Sequence, residues 1–192
     1  MAQVNAKLFS DNGSPIIFME TEYVPNNPFY YLNCYSMFSA YADPSQNADK
    51  LLRRFCKGAY GKAADEMYAA IVFLQGVQRS ECSPTAKAWF GRHHPWRNRK
   101  NYEKLAELLQ KAYDREDDAR IRSRITDALR STWGALISDY KADPSAAAKY
   151  AAAQENYRRF GREYAANGFV NPSARERIAA AVDEEVDVLT LR

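Results

Sequence analysis

Residues 121–140, IRSRITDALRSTWGALISDY, decide the fold class. Ile121, Ile125, Leu129, Trp133, Leu136 and Tyr140 recur at steps of four and three residues, the period of one helix face. At about 3.6 residues per turn the stripe runs for between five and six turns. A stripe of that length is the buried side of a core helix.

Working outward, Tyr102, Leu105, Leu109 and Ala112 predict a second helix, beginning near Arg99. The charged run Asp114–Asp118 reads as a break or a solvated bridge between the two. Downstream, Asp143-Pro144 pairs a capping residue with a proline suited to the first helical position. The Ala-rich stretch 145–166 that follows has high helix propensity. Within it Tyr150, Tyr157 and Tyr164 recur every seven residues, with Ala153 and Phe160 between them. This is a heptad-like seam, which packs on the domain or presents a surface to a protein partner. Asn167-Gly168 stops the helix, and Asn171-Pro172 opens a last one with Ile178, Val182, Val186 and Leu189 on one face. The chain thus divides into a main domain, 1–142, and a C-terminal helical pair, 143–192, packed on it or projecting.

Toward the N-terminus, Asp43-Pro44 starts a helix with Leu51, Leu52 and Phe55 inside, and Gly58 and Gly61 end it. A further helix runs from about Lys62 to Gln78, with Met67, Ala70, Ile71 and Leu74 at helical spacing. The first residues read as β: Val4–Phe9 and Ile16–Val24 flank Asp11-Asn12-Gly13, a hairpin turn signal. The expected fold class is therefore α+β, predominantly helical with a small N-terminal β-hairpin. Between hairpin and helices, the aromatic cluster Phe29, Tyr30, Tyr31, Tyr35, Phe38 and Tyr41 forms core or lines a ligand pocket.

The chain has 192 residues, enough for one core without staples, and a net charge of +3. So modest a charge confines any nucleic-acid affinity to local patches. The three cysteines, Cys34, Cys56 and Cys82, are widely spaced and indicate neither a zinc site nor a disulfide framework. No P-loop, dinucleotide fingerprint or metal motif occurs. Without a secretory signal or hydrophobic span, the expectation is a cytoplasmic protein with no membrane association.

The stretch richest in chemistry is Ser83–Glu103, SPTAKAWFGRHHPWRNRKNYE. Trp89, Phe90, His93, His94 and Trp96 are interleaved with Lys87, Arg92, Arg97, Arg99 and Lys100. Guanidinium groups grip phosphate bidentately and aromatic faces stack on bases. The loop is a candidate nucleotide or nucleic-acid contact, or a solvated loop whose tryptophans cap the core.

Ser83, Pro84, Ala88, Gly91, Arg92, Arg99, Lys100, Asn101, Tyr102 and Glu103 together resemble the middle segment of the NADAR (YbiA-like) family. Tyr35-Ser36-Met37-Phe38-Ser39 and Glu66-Met67-Tyr68 are similar to two earlier segments of it, with Met67 where the family carries histidine. The resemblance implies an N-glycosidase acting on ADP-ribose or nucleotide conjugates, with no cofactor and no metal. Glu66 would be its catalytic carboxylate. Arg92 would bind phosphate with Arg97, Arg99 and Lys100 nearby, and Trp89 or Tyr35 would stack on the base. The alternative is a non-catalytic module that binds nucleic acid through the basic aromatic loop 87–100, or a protein through helix 145–166. A subunit of a phage or defence assembly is one form of it.

Overall fold

The computed structural model describes residues 2–13, 29–81, 95–168, 181, 182 and 186. Their elements are α1 (Ala2–Asp11), α2 (Tyr30–Ala42), α3 (Ala48–Tyr60), α4 (Ala64–Glu81), α5 (Arg99–Arg115), α6 (Ala119–Lys141) and α7 (Ala147–Asn167). Short 3-10 turns, Gly61–Ala63 and Pro144–Ala146, precede α4 and α7.

No strand occurs among the described residues, so the fold is helical and not α+β. The expected first strand, Val4–Phe9, lies inside α1. Asp11-Asn12-Gly13 closes that helix instead of turning a hairpin. The Asn12 N–H donates to the Leu8 carbonyl at 3.2 Å and the Gly13 N–H to the Ser10 carbonyl at 3.1 Å. Gly13 sits at φ +67°. A left-handed glycine ends a helix as readily as it closes a hairpin, and here the helix wins. The expected second strand, Ile16–Val24, lies outside the described residues.

The long stripe of α6 is internal, as its periodicity requires. Ile125, Leu129 and Leu136 have no exposure. Each helix packs on the next in the chain, and α6 additionally meets α3. One core cluster joins Leu32, Cys56, Met67, Ile71, Leu109, Leu129 and Phe160. A second joins Leu136, Ile137, Tyr140, Ala153 and Tyr157 to Val182 and Val186. Helix α7 contributes to both clusters. Its heptad-like seam therefore faces inward, with Ala153, Tyr157 and Phe160 buried. The C-terminal positions Val182 and Val186 pack onto the domain rather than away from it.

Side-chain caps fix the junctions. The Asn98 side chain accepts the Asn101 N–H at 3.0 Å, starting α5 at the expected place. Asp118 accepts the N–H groups of Arg120 and Ile121 and starts α6. Asp43 and Asp143 behave alike: each Oδ1 accepts both the N–H and the hydroxyl of the serine two residues on. That is an Asx turn around the proline. For Asp43 it displaces the helix start, which falls at Ala48 with Asn47 as its cap.

The α5–α6 break is held by one carboxylate. Glu116 is 4% exposed. Its Oε1 accepts the N–H groups of Asp117 (3.0 Å) and Asp118 (2.9 Å), and its Oε2 accepts the Lys62 N–H at 2.8 Å. The α3–α4 turn is thereby pinned to the α5–α6 turn. Gly61, at φ +50°, is needed there, because a Cβ on it would lie 2.6 Å from Glu116 Oε2.

Candidate functional site

The ends of four helices leave a cavity of about 530 Å³. Helix α2 contributes Tyr31, Leu32 and Tyr35; α3 contributes Arg54, Phe55 and Gly58 through Tyr60. Helix α6 adds Ser123, Arg124 and Asp127, and α7 adds Tyr164. Small-molecule sites fall in the range of roughly 300–1,000 Å³, with apolar walls and a few convergent polar groups. This cavity has that character.

Its aromatic wall is ordered by ring contacts. Tyr35 and Phe55 have centroids 5.3 Å apart, and Phe55 meets Tyr60 edge-on at 5.9 Å. These rings come from α2 and the inner side of α3, where helical spacing brings Phe55 and Ala59 to one face.

Two arginines stand on the wall. The Arg54 Nε donates to the Tyr35 hydroxyl, and its Nη2 donates to Gln46 Oε1 at 3.2 Å. The Arg124 Nη1 donates to the Ala59 carbonyl at 2.6 Å, tying α6 to the last turn of α3. Both arginines are otherwise exposed and keep N–H groups beyond those bonds.

Asp127 is the cavity's carboxylate. Its side chain is 16% exposed, and Arg130 Nη2 lies 3.3 Å from its Oδ1. Burial pushes its pKa up, and the Arg130 guanidinium opposes that shift. Burial likewise raises the Tyr60 phenol. Cys56, one turn before Tyr60, is pushed up to about 12 by burial. That shift keeps it a thiol at neutral pH.

Gly58 has no structural need to be glycine. It lies inside α3, and a Cβ there would meet nothing within 4 Å. Gly58→Ala is expected to stabilise the protein by about 0.5–1 kcal/mol, measured by denaturant unfolding. The open space beside it belongs to the cavity wall.

Of the expected substrate-site residues that lie among the described ones, only Tyr35 lines this cavity; Tyr31 of the same aromatic cluster lines it as well. Glu66 lies in the first turn of α4, one-third exposed, with Arg115 Nε at 3.9 Å. Arg99 opens α5, whose 17 residues put Arg115 about 24 Å of helix away from it at 1.5 Å per residue. Glu66 and the α5 start are thus at opposite ends of that helix.

Arg99 is also committed elsewhere. It donates to Asp143 Oδ2 at 2.6 Å and to the Asp139 carbonyl at 2.8 Å, and lies over the Tyr140 ring. Asp143 is held down to about 2, first by the Ser145 hydroxyl and then by Arg99. Arg97 is exposed over the Trp96 ring at 5.2 Å, and Lys100 is exposed. Trp89, Arg92 and both histidines lie outside the described residues.

The asparagine and glutamate of the basic stretch have structural work. Asn101 donates to Glu81 Oε2 and to the Trp96 carbonyl, each at 2.9 Å, joining α4 to α5. Glu103 accepts from Tyr140 and Lys149, each at 2.8 Å.

Arg54, Tyr60, Arg124 and Asp127 escaped the sequence reading. One signal was present. Ser123, Asp127 and Arg130 sit at i, i+4 and i+7 on α6, a polar stripe on a helix buried on most sides. No group of carboxylates, cysteines or histidines among the described residues is arranged to hold a metal ion. No helix among them is long and apolar enough to cross a membrane. The chain has no significant match among protein-family models, curated proteins or solved structures.

Proposed function

We propose that this protein is a binding module for a small ligand that combines an aromatic ring with an anionic group. The observation that carries the reading is the cavity between α2, α3, α6 and α7, aromatic along Tyr35, Phe55 and Tyr60 and flanked by Arg54 and Arg124. A flat ring stacks on such a wall. Two guanidinium groups against one carboxylate, itself paired with Arg130, favour a phosphate or carboxylate at the rim. A nucleotide has both parts.

The N-glycosidase reading turns on Glu66, which is not among the residues lining this cavity. The nucleic-acid reading turns on the basic stretch, whose Arg99 is held by Asp143. Neither gains support from the cavity.

Calorimetric titration with adenosine 5′-monophosphate tests the proposal. Saturable binding is expected. Arg54→Gln should weaken it by about 10- to 100-fold, since a charge-assisted hydrogen bond is worth about 1.5–3 kcal/mol. Gly58→Leu, which places a side chain at the open wall, should abolish binding while the fold stays intact. Glu66→Gln should change nothing. Binding that survives Gly58→Leu, or disappears in Glu66→Gln, would sink the reading.

A further inference from the structure

We infer that Asp127 accepts a hydrogen bond from a sugar hydroxyl of the ligand, so that the cavity prefers ribonucleotides to nucleotides whose sugar lacks its hydroxyls. The inference rests on the binding reading above and names its ligand class.

Asp127 lines the cavity, and its side chain is 16% exposed. Its hydrogen bond among the described residues comes from Arg130 Nη2 to Oδ1, at 3.3 Å. Oδ2 has no donor among those residues. An ionised carboxylate accepts through both oxygens and donates through neither, so the complementary ligand group is a donor. Burial leaves Asp127 poorly solvated, the cause of its raised pKa, which Arg130 opposes. A further hydrogen bond is worth more in such a place than in water.

The charge around Asp127 limits the kind of donor. An ammonium group would suit a lone carboxylate, but Arg130 already supplies Asp127 with a cation. The other charged residues lining the cavity, Arg54 and Arg124, are cationic as well. A neutral hydroxyl donates without meeting that repulsion.

The register of α6 limits where the donor lies. Arg124 and Asp127 both line the cavity and stand three residues apart on one helix face. The rise between them is about 4.5 Å at 1.5 Å per residue. An anion held by Arg124 therefore has a carboxylate acceptor within one helical turn. In a nucleoside 5′-monophosphate the unit next to the phosphate is the ribose, with its two hydroxyls. The base beyond it is left for the ring wall of Tyr35 and Phe55.

Calorimetric titration compares adenosine 5′-monophosphate with its 2′,3′-dideoxy analogue. Removing both hydroxyls makes the result independent of which one Asp127 takes. The ribonucleotide is expected to bind about tenfold or more tightly, because the analogue leaves a buried acceptor unpaired. Asp127→Asn keeps the side-chain shape and an oxygen for Arg130. A neutral acceptor is about half as strong as a charged one, so this variant should narrow the preference by about threefold or more. The ratio of the two affinities cancels any general effect of the lost charge on phosphate binding. Equal affinity for the two compounds, with Gly58→Leu still blocking both, would overturn the hydroxyl assignment and leave the cavity reading standing. A preference kept in full by Asp127→Asn would overturn it too, by placing the hydroxyl contact elsewhere. No binding by either compound would overturn both readings.

Discussion

Glu116→Ala is expected to lower the free energy of unfolding by about 3–5 kcal/mol, the range for breaking a buried hydrogen-bonded network. Three backbone N–H groups, of Lys62, Asp117 and Asp118, converge on its two carboxylate oxygens. Alanine leaves all three half-buried N–H groups without that acceptor. The exposed Lys62–Asp117 ion pair spans the same two turns but is solvated on both sides and compensates little. Glu116→Gln separates the two halves of the clamp. Its amide oxygen can keep Asp117 and Asp118, while its NH₂ meets the Lys62 N–H donor to donor. About half of the loss should appear. Denaturant unfolding at neutral pH measures both variants. A Glu116→Ala protein within 1 kcal/mol of the parent, by the scale of ordinary surface substitutions, would show that the clamp is dispensable.

Gly161→Leu is expected to cost about 2–3 kcal/mol, the usual penalty for overpacking. Gly161 is buried on α7, and a Cβ there would lie 2.7 Å and 3.1 Å from the two methyls of Val182 and 3.4 Å from Arg130 Cδ. Valine is short and stiff at χ1, so relief requires backbone movement. The partner identifies itself in a double-mutant cycle. Val182→Ala alone removes a fully buried methyl pair and destabilises. Combined with Gly161→Ala it removes the obstruction, so the double variant should lose less than the sum of the two single losses. Strict additivity would mean that residue 182 does not rest on α7 in solution.

The helices were legible because a stripe such as Ile121 to Tyr140 leaves one plausible reading. The hairpin was not. Asn12-Gly13 signals a left-handed glycine, and that signal is shared by helix ends and hairpin turns. Which one follows depends on whether Val4–Phe9 finds a helical neighbour, and α1 packs on α2. Asp43-Pro44 marked a turn correctly and a helix start four residues early, since the side chain caps its own Asx turn first. The cavity was legible only along its α2 edge, where Tyr31 and Tyr35 belong to the aromatic cluster. Its other polar groups come from three helices separated by as many as 110 residues, Arg54 to Tyr164, and no local pattern encodes their meeting. The basic stretch drew attention by composition, yet Arg99, Asn101 and Glu103 are spent on holding α5 to its neighbours.

The packing of α3 against α6 has a kinetic consequence. Among the described residues most of the close helix packing joins consecutive helices, so much of the fold assembles at small loop-closure cost. The α3–α6 contact closes a longer loop and carries a larger closure cost. It is also the seam from which the cavity is made, with Arg124 of α6 bonded to Ala59 of α3. The site thus lies along a contact of large sequence separation. A ligand that bridges the seam would add its binding energy to that contact. Amide hydrogens near Ala59 and Arg124 would then slow their exchange on binding more than those of the α6–α7 core, which the rest of the fold already protects.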